Sequence, residues 1–397
     1  MKIAMVFDGL QVGGIERVGA DYAKILSQLG HEVTIINLRP NLTDMEQEFP
    51  QNCKFIHFNY PRKFAPEQYA QLIKTNIVGK FLYPIAYLTL SVFNLIYKVV
   101  YRLTEGRKET YDITIAFASH FNDLTFVSYG YAKTKKKMCW LHGALYGYLL
   151  ISDGYLNLYK KIKNLIVLVD DAQEEVLCYN HGLDLNIEKM YNPTFIKDRV
   201  VDTDEVSRLQ KQYGKFMVMV SRFDYPHKDQ YTVAKALEIV RSQYKQDISL
   251  VFVGTGPEET KVKEFVDGFS DEIKKYIYFV GNQSEVQNYY KAAYMLVHAS
   301  VAGEGLPTIM LEAMAYDLPM VVTDSKTGPR EILKDNQYGI LCRVQDADDM
   351  AKKISLLCSD DVLYQSLKEK GKVRLKDFEP QTIKNQLKEV LEKIINS

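Results

Sequence analysis

The sequence predicts an α/β architecture of two facing, doubly wound parallel-sheet domains with a cleft between them. Three observations predict it. Short continuous apolar runs alternate with helical patterns almost from end to end. The runs lack the in–out alternation of a half-wet sheet, so they read as strands covered on both faces. A polar stretch, Asp198–Gly214, interrupts the alternation once, near the middle of 397 residues, a length that suits two or three domains.

Strands of the first series read at Lys2–Phe7, Glu32–Leu38, Lys54–Phe58, Asp112–Phe117, Lys137–Leu141 and Leu165–Val169. Between the first two, Val18, Tyr22, Ile25, Leu26 and Leu29 follow the 3.6-residue period of a helix over Glu16–Leu29. The second series reads at Phe216–Val220, Ser249–Val253, Tyr276–Val280, Met295–His298 and Met320–Thr323, with helices at Gln230–Arg241, Glu285–Ala292 and Thr308–Tyr316. Domains are expected over 1–197 and 198–378. A last helix, about Gln381–Ile395 within 379–397, could pack back on the first domain.

Fifty Lys plus Arg balance fifty Asp plus Glu, so no global charge steers the chain onto nucleic acid. With 47% hydrophobic and 25% charged residues, disordered, collagen-like and disulfide-scaffold classes are excluded. Five scattered cysteines without a C-x-x-C pair favour reduced thiols, with Cys139 and Cys342 buried in apolar runs. Too few apolar residues precede Asp8 for a signal-peptide core, so the start reads as a first buried strand.

Phe81–Tyr97 is seventeen residues without a charge, flanked by Lys80 and Lys98. A spanning helix wants about 20 such residues, and Pro84, Thr89, Ser91 and Asn94 dilute this one. Buried helix, interfacial helix and true span all stay open. Lys54–Lys163 carries sixteen Lys or Arg against six Asp or Glu, including Arg62, Lys63, Arg102, Arg107, Lys108, Lys133, Lys135, Lys136 and Lys137. That excess suits peripheral contact with an anionic membrane, or an ordinary solvated face.

Ligands of open α/β sheets bind beyond the carboxyl ends of the strands, which makes the following loops the places for chemistry. After the first strand, Gly13 and Gly14 precede a helix, where backbone can approach an anion. The spacing is not G-x-G-x-x-G, and a plain turn is the alternative. Arg222 and Lys228 follow another strand and together could neutralise a diphosphate. Gly254-Thr-Gly256 either lines a nucleotide pocket or only turns the chain. The most informative loop runs from His298 through Ser300, Gly303, Glu304, Gly305, Leu306 and Pro307 to Thr308 and Glu312. It ends in a helix start whose amides suit a phosphate, with a carboxylate on either side. A nucleotide sugar, with hydroxyl-rich groups flanking a diphosphate, fits that pattern.

These residues together resemble the retaining glycosyltransferases of family 4, which have the GT-B fold. The Glu–seven residues–Glu motif stands as Glu304 to Glu312, followed by Ala313-Met314-Ala315. Gly13-Gly14, Arg222 with Lys228, the Gly254 turn, Thr327-Gly328-Pro329-Arg330-Glu331 and Tyr191-Asn192-Pro193 continue the resemblance in order. The resemblance implies that Arg222 and Lys228 hold the donor diphosphate and Glu304 contacts the donor sugar. It implies that Gly305, Leu306, Pro307 and Thr308 line the sugar and phosphate, Glu312 holds the ribose, and Gly14 closes over the phosphate. His142 matches the family's histidine on the sugar and acceptor side.

Two departures stand out: Gly305-Leu306 where the family has Gly-Phe, and Asp317 where it has glycine before Leu-Pro319. The implied reaction is retaining transfer of a hexose or N-acetylhexosamine, UDP-linked in the first instance, to a glycan or lipid-linked glycan acceptor. Its setting would be cell-surface polysaccharide synthesis, in the cytoplasm or peripheral to the inner membrane face. No cofactor and no metal are expected. The D-x-D patterns at Asp202-Thr-Asp204 and Asp346-Ala-Asp348 read as structural. The rival classes are an NAD oxidoreductase, which the missing fingerprint disfavours, and a non-catalytic nucleotide-sugar-binding or scaffolding homologue.

Overall fold

A computed structural model describes residues 1–75, 77–106, 109–143, 145–179, 182–195 and 200–396. The chain divides into two compact units, Met1–Pro193 with Pro380–Ser397, and Thr194–Glu379.

The first unit is a seven-stranded parallel sheet of β1 (Lys2–Phe7), β2 (Glu32–Asn37), β3 (Lys54–His57), β4 (Thr110–Ala116), β5 (Lys133–Leu141), β6 (Asn164–Val167) and β7 (Asn186–Lys189). Its order is β3-β2-β1-β4-β5-β6-β7. Ile3 to Phe7 are fully buried, as a central strand covered on both faces requires. Tyr22, from the helix Gly14–Gln28, joins Phe117 and Trp140 in an aromatic cluster, and its hydroxyl donates to Tyr191 O at 2.7 Å. The C-terminal helix Pro380–Asn396 belongs to this unit and pairs Lys393 with Glu188.

The second unit is a six-stranded parallel sheet of β8 (Phe216–Val220), β9 (Ser249–Val253), β10 (Ile277–Phe279), β11 (Met295–His298), β12 (Met320–Thr323) and β13 (Ile340–Cys342), ordered β10-β9-β8-β11-β12-β13. Both sheets wind outward from a central strand and then reverse, as doubly wound domains do.

Three expectations need correction. The polar stretch read as interrupting the alternation holds a helix, Thr203–Tyr213, in the second unit; Asp198 lies outside the described residues. Only Leu209 and Tyr213 are buried in this helix, too few apolar positions to show a period. Asp202, the first acid of the D-x-D pattern in that stretch, is the N-cap, accepting from Asp204 N and Glu205 N at 3.0 and 3.1 Å. Asp346 caps the helix Ala347–Ser359 in the same way.

Second, the uncharged segment lies within a 27-residue helix, Ile77–Leu103, long and apolar enough by composition to cross a bilayer. It is not a buried helix. Among its described side chains only Gly79, Asn94 and Tyr101 are buried.

Third, the basic run is partly committed to the fold. Lys135 pairs with Asp112, Lys137 donates to Ser128 O, and Lys98 and Arg102 donate to the carbonyls of Tyr129, Gly130 and Tyr131. Arg107 and Lys108 lie outside the described residues.

Asp317 accounts for its departure from the family pattern: it adopts φ +59°, the left-handed conformation that glycine favours and that Asp tolerates better than most residues.

Candidate functional site

In the second unit the winding reverses between β8 and β11, so the crevice beyond their carboxyl ends is the ligand position. The loops that leave those ends are Ser221–Asp229 and Ala299–Pro307. They are stitched together by backbone bonds: Asp229 N donates to Ala299 O, and Val301 N and Ala302 N to Pro226 O. Asp229 also caps the helix Gln230–Ser242, accepting from Thr232 N at 3.1 Å, which fixes the end of the first loop.

That stitching brings two side chains onto one oxygen of a third. Lys228 Nζ lies 2.6 Å and His298 Nε2 2.7 Å from Glu304 Oε1. A carboxylate only accepts, so His298 Nε2 carries the proton. Lys228 Nζ, 3.5 Å from that nitrogen, therefore does not donate to it. Burial holds the His298 imidazole below its ordinary pKa. In the neutral ring Nδ1 is then bare, and it is buried without a hydrogen-bond partner among the described residues. Burial alone would raise the Glu304 carboxyl, but His298 and Lys228 outweigh it and hold the group well below the usual carboxylate range. The result is an ionised carboxylate with an ammonium whose remaining protons can meet an anion.

Glu304 is fixed from below as well. Its carbonyl accepts from Thr327 N and Gly328 N, both at 2.9 Å. Gly305, Leu306 and Pro307 follow it directly, and Thr308 opens the helix Thr308–Ala315. Glu312 lies on that helix, buried, and takes the Tyr290 hydroxyl on Oε2 at 2.9 Å. Arg222 stands apart from the cluster: its side chain is 81% exposed and bonds Asp224 at 3.2 Å.

The Gly254-Thr-Gly256 turn proves to support the Arg222 loop. A Cβ at Gly254, whose φ is +129°, would collide with Ser221 O, and one at Gly256 with Phe223 O. Phe223 N donates to Thr255 O at 3.1 Å across the same contact. The glycines let two backbones touch.

In the first unit the reversal falls between β1 and β4. Gly13 is extended and Gly14 opens the helix, with open space where a Gly14 Cβ would stand. Asp8, the residue after β1, takes Asn122 Nδ2 at 2.8 Å and lies 3.0 Å from Arg39 Nε. Asp123 is fully buried, accepts from Ser119 N and His120 N, and is raised by burial and by the Asp8 charge. His142 follows β5 and donates from Nε2 to Phe117 O at 2.6 Å.

Burial lowers the His142 imidazole to about 4. Between that value and the ordinary 6.5 the unfolded chain binds a proton that the native ring refuses, so stability falls as pH falls through this window. We expect a loss of about 1 kcal/mol per pH unit between pH 6 and 5, with a shallower slope in His142→Gln. Denaturant melts at a series of pH values check this, and parallel slopes would contradict it.

His298, Asp8 and Asp123 are the groups that sequence reasoning missed. Position was the available signal: His298 ends a strand at the reversal, and Asp8 immediately follows one.

The sequence profile described as "Glycosyl transferases group 1" matches residues 201–374. An uncharacterized glycosyltransferase of Haemophilus influenzae is 25% identical over 185 residues, 47% of this chain and 51% of that protein. The N-acetylgalactosamine-N,N'-diacetylbacillosaminyl-diphospho-undecaprenol 4-alpha-N-acetylgalactosaminyltransferase of Campylobacter jejuni is 28% identical over 165 residues, 42% of this chain and 43% of its own. The chain spans about half the length of the curated relatives it matches. Anabaena Alr3699/HepE in complex with UDP superposes with a TM-score of 0.74 at 19% identity, covering 99% of this chain and 100% of that one. The likeness extends to the fold, two Rossmann-like domains of the GT-B type.

Proposed function

We propose that this chain, whose residues 201–374 match the group 1 glycosyl transferases, moves a hexose or N-acetylhexosamine from a UDP-sugar to a glycan or lipid-linked glycan, with retention at the anomeric carbon. The observation that carries this reading is the Lys228–Glu304–His298 cluster just ahead of a helix start at the sheet's reversal. Relatives support the finer terms: HepE is seen with UDP, and the Campylobacter enzyme's name sets its acceptor on undecaprenyl diphosphate.

Lys228, Arg222 and the amides opening the helix Thr308–Ala315 would neutralise the diphosphate, with no metal required. Glu304, ionised and oriented by its two partners, would accept from donor-sugar hydroxyls, and Glu312 from the ribose alongside Tyr290. As the bond from the anomeric carbon to phosphate oxygen breaks, the acceptor oxygen attacks from the same face. Its proton passes to a phosphate oxygen. The protein's part is positioning and electrostatic stabilisation of the leaving group. By the family resemblance, His142, a neutral imidazole, would serve the acceptor side and the Gly13-Gly14 helix start would serve a phosphate. The same reading puts the reaction in the cytoplasm, at the inner face of the cell membrane, in cell-surface polysaccharide synthesis.

Thermal shifts with UDP, GDP, ADP and NAD, followed by donor hydrolysis across UDP-sugars, test the proposal. UDP is expected to stabilise the protein, and Arg222→Ala to weaken UDP about tenfold through loss of a charge-assisted contact. Stabilisation by NAD alone would overturn the reading. Nucleotide binding without turnover of any sugar donor would reassign the chain as a binding homologue.

A further inference from the structure

The helix Ile77–Leu103 is amphipathic in the reverse of the usual sense. A helix on a water-soluble surface turns its apolar stripe inward and its polar residues out. Here Ser91, Asn94, Lys98 and Arg102 face the fold. Asn94 is fully buried and accepts the hydroxyls of Tyr60 and Tyr131 on Oδ1 at 2.6 and 2.8 Å, while its amide donates to Phe64 O and Leu90 O. Ser91 bonds Tyr129, one turn away, and Lys98 and Arg102 spend their donors on backbone carbonyls. Phe81, Ile85, Leu88, Val92, Leu95 and Val99 recur at four- and three-residue steps on the opposite side. All six are exposed, from 49% at Val92 to 72% at Phe81.

We propose that this outward face docks flat on an anionic phospholipid bilayer, with the helix lying in the headgroup–acyl boundary. Rolling the helix to hide the stripe would orphan Asn94 and both tyrosine hydroxyls, so its orientation is fixed. A span is incompatible with the same contacts, because one side of the helix is bonded to the protein at Tyr87, Ser91, Asn94, Lys98 and Arg102. The stripe continues at its N-terminal end. Gln71 Nε2 donates to Leu150 O, and the side chains of Leu150 and Ile151 are exposed beside it, as is Ile73.

Charge selects lipid over a second copy of the chain. Residues 77–103 contain no Asp or Glu. Lys80 is exposed on the helix, and Arg62 and Lys63 are exposed next to Phe64, which packs on Phe93 and Tyr97. Two such faces would bring like charges together with no acid on either helix, whereas anionic headgroups complement them. The inference is independent of the transfer chemistry.

The full chain should co-sediment with vesicles of phosphatidylcholine containing about one-third phosphatidylglycerol, and more weakly with phosphatidylcholine alone. Leu88→Asp/Val92→Asp is expected to reduce partitioning at least about tenfold, with circular dichroism, melting temperature and UDP-induced shift unchanged. Equal sedimentation of wild type and variant, or no binding by wild type, would overturn the proposal. So would sedimentation velocity without lipid that shows a wild-type dimer dissociated by the same substitutions, since a second copy would then be the occupant.

Discussion

Glu304→Ala is expected to lower sugar-transfer turnover by about 10²–10³ and to destabilise the second unit by about 3–5 kcal/mol. The two losses share one origin. The carboxylate neutralises Lys228 and gives the fully buried His298 its hydrogen-bond acceptor, so its removal leaves an ammonium and an imidazole N–H facing each other without an anion. Because the native carboxyl is held below its ordinary range, its contribution is present above that range and lost as pH falls toward the native value. Adding Lys228→Met to Glu304→Ala should recover stability, because the stranded charge is gone, yet restore no turnover. Denaturant melts and donor turnover on the three proteins measure this. A Glu304→Ala protein that turns over normally would remove the carboxylate from the reaction. Parallel recovery of activity in the double variant would show that Glu304 acts only through folding.

The central strands of both sheets were legible because burial on both faces leaves a continuous apolar run, as in Ile3–Phe7 and Met295–His298. At the margins the signal thins. β7, Asn-Ile-Glu-Lys, is an edge strand with one apolar residue, and β13 is only three residues long, so neither reads as a strand. Glu304, Glu312, Lys228 and Arg222 could be named because they occupy loops and a helix start beyond strand ends. Their partners could not. His298 meets Lys228 across seventy positions of sequence, and nothing local in a strand ending Val-His announces that its ring turns toward Glu304. Arg222 and Lys228 looked equivalent in sequence, but capping by Asp229 and the stitched loops draw Lys228 onto the carboxylate and leave Arg222 exposed on Asp224.

Asn94→Leu is expected to destabilise the first unit by about 3–5 kcal/mol, the sum of a few stranded polar groups at 1–3 kcal/mol each. Hydropathy alone argues the opposite: in a helix read as buried, replacing its asparagine by leucine removes a polar intruder and should stabilise. The phase of the helix decides between the two. Because Asn94 faces the fold, leucine there would leave the buried Tyr60 and Tyr131 hydroxyls and the Phe64 carbonyl without the partners they now have. Phe126, stacked on Tyr131, and Tyr101, edge-on to it, leave little room for water to replace them. Leu88→Asp, six residues earlier and on the outward face, should cost within about 0.5 kcal/mol in the absence of lipid, although it puts a charge in the longest uncharged run of the segment. Thermal and denaturant melts of the two variants measure this contrast. If Asn94→Leu were as stable as wild type while Leu88→Asp unfolded, the helix would present its apolar side to the protein. The tyrosine-rich layer beneath it would then be the exposed one. The reading of 28 tyrosines would change with it, because those under this helix, with ring buried and hydroxyl bonded to Asn94, are what make a polar helix face packable.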